Sequence, residues 1–302
     1  MLDIKNELGK KIRLVREKKG LSREVFCGDE IQLTVRQLSR IETGESLPTL
    51  PKLTFISQNL AVPIHHLIDE KHMELPKKYL QLKSSLLKTS TFKEEDRITL
   101  KESYFDKIYE EFYDALPEDE QLSIDVQQAA MDVNLTENTD FGTGILSEYF
   151  FQLQHKEEYS LNDLLIVNLY FNCIYYKEYE ENLFDKLLND VISQVDYSVD
   201  MELFLVNTIL LTAVSVIIKY QSYSELDKIV KISNLIMQKS KDFHKKPIID
   251  MIEGKYLLFS EKNVEKAKEK YLLGAQGAEF FGDQLLSAKI KEEWENDLAT
   301  NS

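Results

Sequence analysis

The chain has 302 residues, 43% of them apolar, enough to build real cores in one large or two ordinary domains, and a formal net charge of −15. Such a chain would be repelled by nucleic acid if its charge were spread evenly, but it is not. Residues 1–66 carry 11 Lys and Arg against 8 Asp and Glu, a net of +3 that leaves −18 to the remainder. The two cysteines, Cys27 and Cys173, are too few for a disulfide framework and point to a reduced, cytoplasmic protein. The N-terminus is a charged amphipathic stretch with no apolar segment of the signal-peptide kind. The longest uncharged run, Leu203 to Ile218, contains Asn207, Thr208, Thr212 and Ser215, so it reads as a buried helix and no membrane partner is expected.

In chain order, Ile4, Leu8, Ile12 and Val15 form the apolar stripe of a first helix that stops at Gly20, and Ser22 can cap a second. Thr34 with Gln37 three residues later makes a capping box that starts a third helix at Val35. There Val35, Leu38 and Ile41 point inward, which turns Arg36, Gln37, Ser39 and Arg40 to solvent. Arg36 and Arg40, four residues apart, share a face. Arginine can grip a guanine edge bidentately, glutamine can read adenine, and a helix fits the major groove, so this is a candidate DNA-recognition helix. Two shorter helices, 49–60 and 63–69, complete a small core with Leu50, Leu53, Ile56, Leu60, Ile64 and Leu67.

Arg16, Gly20-Leu-Ser22, the run Thr34 to Glu42, Gly44 and Pro48 resemble the XRE (lambda-repressor-like) helix-turn-helix family. The connection from Cys27 to Leu33 is slightly longer than is usual there. The resemblance implies double-stranded DNA as a partner, with Ser22, Arg23, Thr34, Arg36, Gln37, Ser39 and Arg40 at the DNA and Lys52, at the start of the fourth helix, on a phosphate.

The polar stretch from His65 to Pro76 predicts a domain boundary, with residues 1–66 as the helix-turn-helix domain, 67–76 as a linker and 77–302 as a second domain. His65, His66 and His72 in it match no zinc spacing, and no metal or other cofactor is expected. Beyond it the pattern is helical throughout: 77–88, 94–116, 118–133, 144–156, 160–176, 180–195, 199–220, 222–240, 246–260, 263–281 and 284–298. These come as hairpins at a spacing of about 35–40 residues, as in tetratricopeptide-like solenoids. Ala267, Tyr271, Ala275, Ala278, Gly282-Asp283 and Ala288 resemble that repeat's packing positions. The fold class is therefore all-α, a five-helix DNA-binding domain followed by a tetratricopeptide-like solenoid. The end of the solenoid must be capped or paired, which makes the helix around Trp294 a candidate dimer surface.

A solenoid's concave face suits a short peptide. Asn168 and Asn172, with Asn207, could bond an extended main chain, and Phe171, Tyr175 and Phe204 could line side-chain pockets; satisfying neighbouring backbone is the alternative role for the amides. Lys93, Arg97 and Lys101 form a basic stripe suited to a peptide's carboxylate, or a solvated face paired with Glu94 and Asp96. No Walker loop, zinc-protease, serine-hydrolase or paired CxxC motif is present, and Gly142-Thr-Gly144 lacks the third glycine of a dinucleotide loop, so an enzyme is not expected.

This layout resembles the Rgg-type peptide-sensing regulators, and Ser22-Arg-Glu-Val25, Cys27, Leu33 to Leu38, Arg40-Ile-Glu42, Gly44 to Pro48, Asp96-Arg-Ile98 and Leu116-Pro-Glu118 resemble their ComR-type competence branch. The resemblance implies a short hydrophobic pheromone peptide as ligand of the repeat domain, a homodimer when peptide-bound, and activation at an inverted-repeat promoter of competence genes. The charge split adds an expectation of its own: Glu118, Asp119 and Glu120 pair with the basic recognition helix and mask it until peptide binds. A repeat protein that inhibits another protein without touching DNA, another Rgg-type regulator, and a peptide-independent repressor are the competing readings.

Overall fold

The structure is a computed structural model that describes residues 2–67, 75–91, 94–177 and 180–301. The described residues are helical with no strand, and they fall into two compact units, Met1–Glu157 and Glu158–Ser302. His72 and most of the predicted linker lie outside the described residues, as does Lys93.

The first unit opens with α1 (Leu2–Lys18), α2 (Arg23–Cys27), α3 (Val35–Glu42), α4 (Leu50–Leu60) and α5 (Ile64–Leu67). Their starts follow from local chemistry. The Ser22 hydroxyl accepts from the Val25 amide, and Thr34 and Gln37 exchange side-chain and backbone hydrogen bonds in a complete capping box. Leu8, Ile12, Phe26, Leu33, Leu38, Ile41, Leu53, Ile56 and Leu60 close the core these helices share. Cys27 belongs to it, and burial pushes its thiol up to about 12, so it acts as a small apolar side chain. The long connection to α3 turns at Gly28 and Glu30, both at φ +60°, and the Glu30 carboxylate accepts from the Val35 amide at 3.1 Å.

Beneath this core lies a buried polar clamp. Arg16 donates to both oxygens of Glu42, at 2.5 and 2.9 Å, and to the Leu21 carbonyl at 2.6 Å; Arg23 donates to Glu42 at 2.8 Å. It ties α1 and the start of α2 to the C-terminal end of α3, and so fixes how α3 is presented. The unit continues with α6 (Lys77–Lys88), α7 (Glu95–Glu111), α8 (Glu118–Thr136) and α9 (Asp140–Leu153). Tyr79, Leu86, Phe105, Ile108, Leu116 and Ile124 form a second core among α6, α7 and α8. A single backbone bond, from the Glu118 amide to the Leu47 carbonyl at 3.0 Å, joins the start of α8 to the α3–α4 connection.

The second unit stacks α10 (Leu161–Tyr176), α11 (Glu181–Ser193), α12 (Asp200–Lys219), α13 (Leu226–Ser240), α14 (Lys246–Phe259), α15 (Val264–Phe280) and α16 (Gln284–Asn301). By length and composition α12 could cross a bilayer, but Leu203, Val206, Ile209, Leu210, Ala213 and Val216 are buried within the unit. The predicted repeat positions Ala267, Tyr271, Ala275 and Ala278 are buried, and Gly254 lies so close to the Tyr271 ring that a Cβ there would meet it at 2.5 Å. Gly282, at φ +81°, ends α15, and Asp283 caps α16 by accepting from the Leu286 amide at 3.1 Å. Ala288 is a correction: it is exposed, and its neighbour Ser287 is the buried small residue. Trp294 packs on Tyr271, with ring centroids 5.1 Å apart.

Removing one partner of a buried ion pair leaves the other uncompensated. Glu42→Ala is therefore expected to destabilise the first unit by about 3–5 kcal/mol. Replacing both Arg16 and Glu42 by Met should cost much less than the Glu42→Ala change alone, as urea denaturation of the three chains would read out.

Candidate DNA-recognition interface and peptide groove

The recognition helix α3 is engaged by α8 and α9 of its own unit. Arg40 donates from Nη1 to Glu118 Oε1 at 3.0 Å and to the Tyr149 hydroxyl at 3.3 Å, and Tyr149 donates in turn to Glu118 Oε1 at 3.3 Å. Glu148 reaches both arginines, at 2.8 Å from Arg36 and 3.5 Å from Arg40. Burial works against the Arg40 charge, but the Glu118 hydrogen bond and the surrounding acidic groups outweigh it, so its pKa is raised. On α4, Lys52 pairs with Asp119 at 2.5 Å, and Thr49 donates to the other oxygen of Asp119 at 2.9 Å. Arg36 is still 62% exposed in its side chain, so its pair with Glu148 is worth ~0–1 kcal/mol, whereas the half-buried Arg40–Glu118 bond is worth on the order of 1–2 kcal/mol.

Several expected residues sit elsewhere than their spacing suggested. Gln37 is buried, not solvent-facing: its Oε1 accepts from the Thr34 amide, and its Nε2 donates to Gln152 Oε1 at 3.2 Å. Arg23 is held by Glu42, and Ser22 and Thr34 act as helix caps. Ser39 is partly exposed. Glu120 points away from the helix-turn-helix domain and accepts from Tyr79 and Lys83. The reading of the sequence missed Glu148, Tyr149 and Gln152, all on α9. Gln152 also donates to the Glu30 and Ile31 carbonyls, at 2.9 and 3.2 Å, and so holds the long connection before α3. The available signal was the pair Glu148 and Gln152, four residues apart in an otherwise apolar stretch.

The predicted peptide residues divide between the units. In the first, Arg97 reaches the Ser90 carbonyl at 3.5 Å and Lys101 the Thr89 carbonyl at 3.3 Å; burial lowers the Lys101 pKa to about 8. In the second, Asn168 accepts from Thr212 at 2.9 Å, and Asn172 gives its amide to the Asn168 carbonyl at 2.7 Å, a bond back along its own helix. Phe171 is a correction: it is fully buried, packed on Phe184 at 5.1 Å between ring centroids, and lines no open surface. Phe204 carries the Lys245 ammonium over its ring at 4.4 Å, and Tyr175 carries that of Lys219 at 5.1 Å. Asn207 is buried, and its Oδ1 has no hydrogen-bond partner.

With this geometry in place, comparison with known proteins is specific. A family model described as "ComR tetratricopeptide" matches residues 76–294, and one described as "Helix-turn-helix" matches residues 12–67. No curated protein matches the sequence. Among solved structures, apo ComR of S. thermophilus is 31% identical with a TM-score of 0.85, over 97% of this chain and 99% of that one. ComR of Streptococcus suis is 34% identical with a TM-score of 0.80, over 97% and 95%. ComR of S. thermophilus in complex with DNA and its signalling peptide ComS is 31% identical with a TM-score of 0.70, over 96% and 99%. A helix-turn-helix domain followed by a tetratricopeptide-like domain, matched over nearly its whole length, places this chain in the ComR family of DNA-binding transcription regulators.

Proposed function

We propose that this chain is a peptide-gated transcriptional activator of competence genes, acting in the cytoplasm and not as an enzyme. The observation that supports the reading is that Arg36, Arg40 and Lys52, the three cations expected at DNA from the sequence, are each paired with a carboxylate of α8 or α9. In this arrangement the guanidinium groups are occupied and the helix that would enter the major groove is covered. Binding of a short hydrophobic pheromone peptide to the tetratricopeptide-like domain favours a state in which α3 is released. The freed chain then dimerises and binds an inverted-repeat promoter. The likeness to the peptide-free relative is greater than that to the DNA- and peptide-bound one, which supports assigning the present conformation to the closed side of this equilibrium. A differential peptide affinity of a few kcal/mol is enough to move most of the population.

On this reading Arg36 and Arg40 contact bases, with Ser39 beside them, and Lys52 a phosphate. Gln37 reaches a base only after its bond to Gln152 is broken. In the first unit Lys101, with Arg97, is the candidate partner of a peptide carboxylate; Asn168, Tyr175, Phe204 and Asn207, all in the second unit, are separately the candidate bed for an extended chain.

Fluorescence anisotropy on an inverted-repeat competence-promoter fragment, at one fixed salt concentration, tests the core of the proposal. Binding should require a synthetic hydrophobic peptide and should fall ten- to a hundredfold in Arg40→Ala. Equal binding with and without every peptide would rule the gating out. Glu118→Ala should raise peptide-free DNA affinity about tenfold, the equivalent of the single part-buried ion pair it removes. Glu120→Ala, which removes no contact to α3, should not raise it.

The Lys101 ammonium has a free-state pKa lowered to about 8, and pairing with a carboxylate raises it. Peptide affinity should therefore be level below about pH 8 and fall as pH rises above it, because binding then requires proton uptake. Lys101→Met should lower the affinity and flatten that profile; an unchanged profile in the variant would remove Lys101 from the site.

A further inference from the structure

The charge pairs that cover α3 do not fix its register against α9. Attraction between a guanidinium and a carboxylate falls off slowly with distance and tolerates sliding, and the Arg36–Glu148 pair is exposed enough for salt to screen it. Hydrogen bonds between neutral groups are short and directional. Such bonds run in a continuous chain through this contact. The Thr34 amide donates to Gln37 Oε1 at 3.0 Å, Gln37 Nε2 donates to Gln152 Oε1 at 3.2 Å, and Gln152 Nε2 donates to the Glu30 and Ile31 carbonyls at 2.9 and 3.2 Å.

The chain of bonds is locked in orientation. The Thr34 amide can only donate, which holds the Gln37 oxygen towards it and the Gln37 nitrogen towards α9. The two carbonyls can only accept, which holds the Gln152 nitrogen towards them and its oxygen towards Gln37. Turning either side-chain amide over would set donor against donor or acceptor against acceptor. Gln37 and Gln152 are both buried, and both N–H groups of Gln152 are used.

What Gln152 meets is a built feature of the α2–α3 connection, the segment whose extra length sets it apart from the usual helix-turn-helix. The segment passes through φ +60° at Gly28 and Glu30. Asp29 Oδ1 accepts from the Ile31 amide at 3.1 Å, and the Glu30 carboxylate accepts from the Val35 amide at 3.1 Å. The connection is thus braced by its own side chains. A glutamate at positive φ is uncommon, and the turn it makes leaves two successive carbonyls within reach of one side chain.

We propose that Gln152 is a positioning residue of the DNA-binding switch: it reads the α2–α3 connection and Gln37 together, and so sets the register in which α3 is covered by a contribution that does not depend on salt. Neutral hydrogen bonds suit this role. When α3 leaves, water replaces each partner and the net cost is small. When α3 docks out of register, the Gln152 amide, the Gln37 nitrogen and the two carbonyls are buried without partners, each with its full desolvation penalty. Wrong arrangements are therefore penalised more than the right one is favoured. The Gln37 nitrogen is also a group that could reach a base, so its bond to Gln152 withdraws it from DNA. The inference rests on the masking proposed above.

The test is anisotropy of the peptide-free full chain on the inverted-repeat promoter fragment over a series of salt concentrations. Gln152→Met keeps the length of the side chain and removes its polar groups. It should raise DNA affinity about tenfold over the parent, and that ratio should hold as salt is raised. The gain from Glu148→Ala, which removes the exposed pair to Arg36, should shrink instead. Gln152→Asn keeps the amide but falls one methylene short, and should give the same gain as Gln152→Met, so a packing defect peculiar to methionine does not decide the outcome. Hydrogen exchange should speed up at the α2–α3 connection in both Gln152 variants and stay unchanged in the core among α6, α7 and α8. If Glu118→Ala raises peptide-free binding and neither Gln152 variant does, the masking stands and the role of Gln152 is overturned. If none of the three raises it, the masking fails and this inference with it. A Gln152→Met gain that fades with salt as the Glu148→Ala gain does would also overturn the proposal.

Discussion

One guanidinium cannot serve two acceptors with the same N–H groups, and much of this structure is arranged around that constraint at Arg40. Its Nη1 is taken by Glu118 and Tyr149, with Glu148 close by. A bidentate grip on a guanine edge would need that same planar fork. The two uses of Arg40 exclude each other, which is the physical basis for reading α8 and α9 as a cover over the recognition helix. The individual contacts are modest, because Arg36 is largely exposed and Arg40 is 31% exposed in its side chain. Several weak charge pairs, together with the Gln37–Gln152 bond, make an association that can be undone by a ligand of ordinary affinity.

For such a cover to act as a unit, the recognition helix must keep its shape whether covered or free. The Arg16–Glu42–Arg23 clamp has that role. It is buried, it satisfies both Glu42 oxygens, and it fixes the end of α3 from beneath. The helix-turn-helix domain thus contains two kinds of arginine: Arg16 and Arg23, which hold the fold, and Arg36 and Arg40, which face outward on α3. Residue type alone does not separate them. Burial and partner do, and Arg23 moved from the second kind to the first for that reason.

Local signals in the sequence carried the fold a long way. The capping box at Thr34 and Gln37 placed the start of α3, and α6 and the starts of α8, α14 and α16 fall at the residues their helical pattern indicates. The misses are of a different physical kind. Gln37 looks outward by helical periodicity, but it meets Gln152, 115 residues away in the chain, and no local rule reaches that far. Glu118, Asp119 and Glu120 read as one acidic cluster. Successive helical residues point about 100° apart, however, so Glu118 meets Arg40, Asp119 meets Lys52, and Glu120 turns to Tyr79 and Lys83. Phe171 carries the right chemistry for a peptide pocket but sits on the buried face of α10, because an apolar helix gives little indication of which side is sealed. The helical pattern predicts a helix from residue 144, whereas α9 begins at Asp140, since tertiary contacts can outweigh a weak local preference.

The acidity of the chain beyond residue 66 also shapes this contact. Pairing every cation of the recognition surface takes Glu118, Asp119 and Glu148, three carboxylates against Arg36, Arg40 and Lys52. The match is imperfect in geometry: Glu118 Oε2 is buried without a donor, and Glu148 Oε1 reaches Arg40 only at 3.5 Å. A cover optimised only for stability would have paired or replaced these groups, since a buried acceptor without a donor costs about 1–3 kcal/mol. Leaving Glu118 Oε2 without a donor lowers the work needed to separate α3 from α8 and α9. The contact therefore occupies both arginines with pairs of modest strength, which is what the proposed release of α3 requires.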